Sequence, residues 1–258
     1  MSKIPEDAIQ CLDKGFVRLV DSMGGDEAIV QAARVSYGKG TTKLSQDRGL
    51  IRYLMRHRHT TPFEMVEFKF HCKMPIFVAR QWVRHRTANI NEYSLRYSEA
   101  RDEFYYPDPE HIQFQSALNK QGRMGDVPDD LKKKVQDYFK EISNRSFEIY
   151  SELNTAGVSR ELARAILPVN LYTEWYWKND LHNLLHFVGL RSDSHAQYEI
   201  RVFSDAMAES VKAVAPFAWE AYQDYAVSGL RFSKIEQGLL EQNLTARVID
   251  DKIEDVVY

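Results

Sequence analysis

Apolar positions recur with two different periods along this chain, and the switches between them mark its elements. Phe16, Val17, Leu19 and Val20 give Asp13 to Met23 the look of a strand, closed by the turn residues Gly24-Gly25. From Asp26 the spacing lengthens. Ile29, Ala32, Ala33 and Val35 make the stripe of a helix reaching about Tyr37, with Asp26 as its cap. A second helix is expected over Ser45 to Arg58, carrying Leu50, Ile51, Tyr53, Leu54 and Met55. Its basic end (Arg56, His57, Arg58, His59) complements the helix dipole, and Thr60-Thr61-Pro62 breaks it.

Between Phe63 and Met74 the period drops to two. Val66, Phe68, Phe70, Cys72 and Met74 face one way and Glu67, Lys69, His71 and Lys73 the other, as in a half-buried strand. Pro75 suits the first turn of a helix with Ile76, Phe77, Ala79, Arg80 and Val83, on which Gln81 and Arg84 share a face. Arg84 to Tyr97 then reads as the end of that helix and the loop leaving it. Tyr97 to Tyr106 reads as a strand, and residues 107–127 as a polar surface loop. Pro128-Asp129-Asp130 starts a long amphipathic helix with Leu131, Val135, Tyr138, Phe139, Ile142, Ile149, Tyr150 and Leu153 on one side.

Beyond Gly157, Ser159 is placed to cap a short helix holding Arg160 and Arg164, which Pro168 ends. Asn170 to Trp177 is an aromatic strand or loop. Asn179 to Arg191 has the apolar density of a buried helix, and Ala196 to Ala226 is helical with a break at Pro216. Ser233 to Tyr258 offers one modest helix and an acidic tail that frays or docks on a neighbour. No linker composition divides the chain, so residues 1–258 form a single α+β domain with a central mixed or antiparallel sheet and long helices.

Composition narrows the function more than the fold. A formal charge of −3 argues against a generic nucleic-acid binder, so any basic site must be local. No apolar run approaches the roughly 18 residues of a membrane span, and the N-terminal stretch carrying Lys3, Glu6 and Asp7 has no signal-peptide core. Cys11 and Cys72 have no metal-site spacing, and two such thiols fit a reducing, cytoplasmic setting.

The local basic site is Arg84-His85-Arg86-Thr87-Ala88-Asn89-Ile90-Asn91-Glu92-Tyr93-Ser94-Leu95-Arg96-Tyr97. Planar guanidinium groups give phosphate two parallel charge-assisted hydrogen bonds, and the interleaved Asn, Ser and Glu supply discrimination. The bland alternative is a solvated basic helix end with surface ion pairs. The stretch resembles the signature of flavin-dependent thymidylate synthases: Arg-His-Arg, two variable residues, Ser, one variable, Asn-Glu, one variable, Ser, one variable, Arg. It agrees at Arg84, His85, Arg86, Asn91, Glu92, Ser94 and Arg96, and departs at Asn89, which stands where the family has Ser. Arg58-His59-Thr60-Thr61-Pro62-Phe63-Glu64, Pro75 to Arg86, and Leu190 to Gln197 also resemble family segments. The likeness spans roughly residues 12–226 and leaves 227–258 as a C-terminal extension.

That resemblance implies reductive methylation of dUMP to dTMP in dTMP biosynthesis. Methylenetetrahydrofolate supplies the carbon, FAD relays the hydride and NADPH is the reductant, in a homotetramer whose sites combine subunits. It assigns dUMP to Gln81, Arg84, Glu92, Ser94, Leu95 (through its backbone), Arg96, Arg164 and Arg191, with Ser94 and Arg96 on the phosphate. It assigns FAD to Thr61, Arg84, His85, Arg86, Glu92, Asp180, His182 and His186, and it allows His59 to place the folate or flavin ring. In the family Asn-x-Arg often fills the positions of Asp180, Leu181 and His182. Arg191 is the expected catalytic group, its guanidinium favouring the electron-rich, deprotonated pyrimidine so that no cysteine nucleophile is needed. Its bland alternative is a helix-end arginine paired with Asp193.

Two rival readings use the same residues. His57, His59, His71, His182, His186 and His195 could suggest a metal, with His182 and His186 at ligand spacing on a helix, but no His-Glu-x-x-His accompanies them. Arg80, Arg84, Arg86 and Arg96 with nearby aromatics could suggest a nucleic-acid module, which the overall acidity disfavours.

Overall fold

The computed structural model describes residues 4–35, 44–118 and 120–243. The expected end of the first helix at Tyr37 and the acidic tail to Tyr258 lie outside them. Strands β1 (Ile9–Cys11) and β2 (Gly15–Met23) form a hairpin, and Gly24, at φ 75°, turns the chain into helix α1 (Asp26–Val35). Helix α2 (Leu44–Arg56) and a 3-10 turn at Thr61–Met65 lead into β3 (Glu67–Pro75) and α3 (Ile76–Trp82). Next come the short strand β4 (Asn89–Glu92), a hairpin of β5 (Phe114–Gln115) and β6 (Arg123–Met124), and the long helix α4 (Asp129–Thr155). Helix α5 (Arg160–Ala163) precedes β7 (Tyr172–Asp180), which runs into α6 (Leu181–Arg191). Helices α7 (Tyr198–Val214), α8 (Pro216–Tyr222) and α9 (Lys234–Asn243) complete the described chain.

The main sheet has the order β1-β2-β3-β7-β4, and every pairing in it is antiparallel. Its register follows from the period-two pattern. Phe68, Phe70, Cys72 and Met74 of β3 are fully buried, and the register sets Cys72 opposite Trp175 and Phe70 opposite Trp177. Helices α3, α6 and α7 cover this face with Trp82, Phe187 and Phe203, all fully buried. Each such side chain contributes roughly 1.5–3 kcal/mol through burial. A one-residue slip of β3 would turn its polar set onto these rings, which fixes the register.

Several sequence expectations change. The strand expected over Tyr97 to Tyr106 is an irregular segment with one bridge, Phe104 to Leu171. Packing holds it instead of a ladder: Ala100 and Phe104 bury against Tyr150 of α4, whose hydroxyl accepts from the Ala100 N–H at 2.8 Å. This segment also covers Lys73, which the alternation places in solvent. Lys73 is 2% exposed, with its Nζ 2.7 Å from Glu103. The stretch after Arg84 is more than a loop, since its middle is the edge strand β4. Residues 107–127, expected to be a surface loop, contain the β5–β6 hairpin, anchored by the Arg123–Glu199 ion pair and by His111 stacked on Tyr198. Asp26 caps a different helix from the one it begins. Its carboxylate accepts from the N–H groups of Phe217 (2.7 Å) and Ala218 (2.9 Å) in the first turn of α8. Ser159 makes no side-chain cap bond.

Candidate active site

Helix α6 organises the site. Asp180 caps it, one carboxylate oxygen accepting from the Asn183 N–H (2.9 Å) and the other from the Asn183 amide (2.7 Å). Leu181, Leu184, Leu185, Phe187 and Val188 bury one side of the helix. His182 and His186 lie one turn apart on a shared cavity wall, and Arg191 ends the helix. Trp82 of α3 stacks on Phe187, ring centroids 4.9 Å apart, and so fixes α3 against α6.

That contact brings Gln81, His85, His186 and Arg191 together. Arg191 donates through Nε to His85 Nε2 (3.1 Å) and through an Nη to the Gln81 carbonyl (3.2 Å). Asp193, its expected partner in the bland reading, instead accepts from the backbone N–H of His195 and lies against that ring. A guanidinium cannot accept, so His85 Nε2 must be the bare nitrogen and Nδ1 carries the proton. Burial, then Arg191, then His186 push the His85 pKa down to about 4. Burial also lowers that of Arg191, whose guanidinium remains the charged group here.

The sign of the His85 shift sets a pH window. An unfolded chain protonates His85 near its ordinary value of 6.5, whereas the folded protein does so only near 4. Between these values the unfolded state holds more protons, so this group's contribution to stability falls as the pH falls. Protonation also removes the acceptor that orients Arg191. An NMR titration of labelled histidine is expected to put the His85 midpoint near 4; an ordinary midpoint, at 6.5, would contradict the neutral-acceptor arrangement.

A cavity of about 700 Å³ opens between α2, α6 and α8. Arg56, Arg58, His59, His182, His186 and Arg231 supply its cationic or titratable wall, and Phe63, Leu185, Tyr222 and Tyr225 its apolar and aromatic one. Among the described residues no carboxylate lines it. The local fold explains how α2 delivers its share. Arg58 donates from its N–H to Met55 O and His59 to Leu54 O, the two bonds of a Schellman turn. Arg58 thereby sits at φ 56°, a conformation that costs a non-glycine residue roughly 1–2 kcal/mol. The turn places Arg58 and His59 on the cavity wall. At Gly189 an added Cβ would lie 2.9 Å from the Tyr222 hydroxyl, so glycine lets α8 close the other side. A wall of arginines and aromatic rings without carboxylates suits a ring system that carries anionic groups, as a flavin nucleotide does.

The remaining expected residues lie along β4 and the turn after it. Glu92 accepts from the Thr173 hydroxyl (2.7 Å), which locks it to β7. Ser94 Oγ accepts from the Arg96 N–H (3.4 Å), and Leu95 packs into the small core shared with Leu167. Arg160 reaches this turn from α5 and pairs with Glu99, and Arg164 follows in the next helical turn. Arg101, Arg123 and Arg160 all have carboxylate partners. Among the described residues Arg84, Arg86, Arg96 and Arg164 have none, which leaves them available to an anion. Thr61 is exposed beside the cavity residue Thr60. Among the described residues no three His, Cys, Asp or Glu side chains form a group that could hold a metal ion.

Sequence reasoning missed the far walls of the site. Tyr222, Tyr225 and Arg231 close the cavity, and Gln197 and Glu199 bond in a line leading to Gln81. Gln197 ends a segment already singled out by its resemblance, but nothing local announces a partner 116 positions away.

Fold and site together fit a class: a single-domain enzyme with an antiparallel sheet, whose arginines and aromatic cavity suit an anionic, ring-bearing ligand. Residues 18–217 match the sequence model of the family described as thymidylate synthase complementing protein, and the chain belongs to that family. A flavin-dependent thymidylate synthase of Rickettsia conorii is 50% identical, covering 99% of this chain and 92% of its own. One of Ehrlichia ruminantium strain Gardel is 58% identical over 223 residues, 86% of this chain and 75% of its own. Among solved structures, the UMP/dUMP methylase PolB of Streptomyces cacaoi bound with 5-Br dUMP superposes with a TM-score of 0.77 at 34% identity. It covers 84% of this chain and 98% of its own. The same methylase bound with 5-Br UMP gives 0.76 and 35%.

Proposed function

We infer that this chain is a flavin-dependent thymidylate synthase that converts dUMP to dTMP by reductive methylation. The observation that carries the mechanism is the Arg191 guanidinium, held by a neutral imidazole and a backbone carbonyl, with no carboxylate partner among the described residues. Its charge beside the uracil ring favours the deprotonated, electron-rich pyrimidine, lowering that pKa by on the order of 1–3 units. Arg84, Glu92, Ser94, Arg96, Arg164 and the Leu95 backbone hold the nucleotide, with Ser94 and Arg96 on its phosphate. Gln81 lies beside Arg191 and contacts the nucleotide near the reacting ring.

FAD would be held in the cationic cavity against His182 and His186, with Thr61, Arg84, His85, Arg86 and Glu92 as further contacts, and would supply hydride transfer from NADPH to the transferred carbon. Asp180 acts there by fixing the N-terminus of α6. Methylenetetrahydrofolate is the one-carbon donor, with His59 aligning a ring of folate or flavin. The active form is a homotetramer in which the unpaired Arg84, Arg86 and Arg96 face ligand bound between subunits. The setting is cytoplasmic; no described helix is long and apolar enough to cross a membrane.

Neither cysteine is suited to attack the ring. Cys72 is fully buried, which raises its thiol pKa, and burial pushes that of Cys11 up to about 12. The purified protein is expected to form dTMP from dUMP, methylenetetrahydrofolate and NADPH only when FAD is bound. Cys11→Ala and Cys72→Ala are expected to keep that activity. A folded cysteine variant without turnover would sink the nucleophile-free scheme, and flavin-independent dTMP formation would sink the cofactor assignment.

A further inference from the structure

Glu199 is 3% exposed at the start of α7, and three side chains converge on its carboxylate. Arg123, from the β5–β6 hairpin, donates to both oxygens at 3.0 Å. The Tyr105 hydroxyl donates at 3.0 Å, and the Gln197 amide nitrogen at 2.9 Å. Burial and the neighbouring carboxylate raise the Tyr105 pKa, which keeps that hydroxyl a donor. A guanidinium has no acceptor and a carboxylate no donor, so this junction has one polarity only.

The polarity propagates. Gln197 must turn its nitrogen to Glu199, which leaves its oxygen toward Gln81. Gln81 then donates through its own Nε2 to Gln197 Oε1. With its nitrogen end tied to Gln197 and one amide hydrogen left over, Gln81 turns its side-chain carbonyl end to the active site, on the residue whose backbone oxygen already holds Arg191. A glutamine beside a ligand could otherwise offer either end, because its two ends are nearly isosteric.

We propose that Glu199, acting through Gln197, is a positioning residue that fixes Gln81 as a hydrogen-bond acceptor, so that the site selects a nucleotide presenting a donor there. This rests on Gln81 being substrate-facing, as proposed above. The neutral nucleotide that first binds has two such donors, the uracil N3–H, present until Arg191 promotes its loss, and the sugar 3′-hydroxyl. The β5–β6 hairpin thereby gains a role in recognition, since it supplies the arginine that donates to both Glu199 oxygens.

The test uses flavin-loaded enzyme and calorimetric titration with dUMP, its N3-methyl derivative and its 2′,3′-dideoxy analogue. The native protein is expected to bind one analogue about fivefold more weakly than dUMP, as one neutral hydrogen bond of about 1 kcal/mol implies. In Glu199→Gln the junction loses its single polarity and Gln197 can reverse. That discrimination should then shrink to less than about twofold, with dUMP itself weakened by about fivefold. Tyr105→Phe also removes a Glu199 hydrogen bond but leaves the polarity intact, so it should retain the discrimination. A merely structural role for Glu199 would move both variants alike.

If Glu199→Gln fails to fold, as judged by lost flavin, Gln197→Met breaks the same line at an exposed position and should abolish the discrimination. Either variant keeping the native discrimination while folded overturns the proposal, as does a native protein that treats both analogues like dUMP. Gln81→Met with unchanged affinity for dUMP would instead remove the substrate-facing reading of Gln81, a separate failure.

Discussion

Arg191→Ala is expected to fold and keep bound flavin while losing about 10²–10³-fold in kcat for dTMP formation, the range seen when a preorganised charge is removed from a transition state. The size of the effect comes from how the guanidinium is held. Its bonds to His85 and to the Gln81 carbonyl fix its plane without cancelling its charge, so stabilising a developing anion needs little reorganisation. Arg191→Lys should recover only part of the rate, because an ammonium on a flexible stem cannot reproduce the planar two-point grip. Single-turnover rates with saturating dUMP, read beside the flavin spectrum, separate lost chemistry from lost binding. Near-native turnover by Arg191→Ala would remove it as the activating group.

Trp82→Ala carries the largest expected loss of stability, about 3–5 kcal/mol. Trp82 is fully buried and meets Trp175 at 5.3 Å, Trp177 at 5.8 Å, Phe187 at 4.9 Å and Phe203 at 6.0 Å between ring centroids. These rings come from β7 and from α6 and α7, so no single element can move to fill the void. The Tm should fall by on the order of 10 °C. Activity should fall too, because Trp82 is the packing that sets Gln81 and His85 against Arg191. Urea denaturation together with calorimetry checks the first effect; a change below about 1 kcal/mol would mean that the cluster collapses around the gap.

Much of this molecule was legible in one dimension because the relevant physics is local. Period two over β3 reflects which side chains leave water, and the structure follows it; the stripe of α4 is followed only in part, since Tyr150 is buried while Leu131, Tyr138 and Ile142 are exposed. The arginine-rich stretch suggested an anion site because so many donors in one segment have few other uses. Where local pattern failed, distant partners decided. Tyr97 to Tyr106 has the residues of a strand, but Tyr150 and Leu171 take up its backbone and side chains before a ladder can form. Lys73 alternates to the solvent side, yet Glu103 arrives to pair with it and covers it. Asp26 looks like the cap of its own helix and serves one 191 positions away.

The same division runs through the site. By itself the sequence determined the helices, the central strand and the chemical types gathered in Arg84 to Tyr97. It also determined, through ordered resemblance, which reaction those types serve. Only the tertiary structure decided that Arg191 would meet a neutral His85 instead of Asp193, that an arginine in a left-handed turn would face Tyr222 and Arg231 across a cavity, and that Gln81 would be aligned by Glu199. The physical reason is that hydrogen-bond polarity and the low dielectric of a buried site depend on what comes near in space. A sequence pattern records only what a residue brings to that encounter.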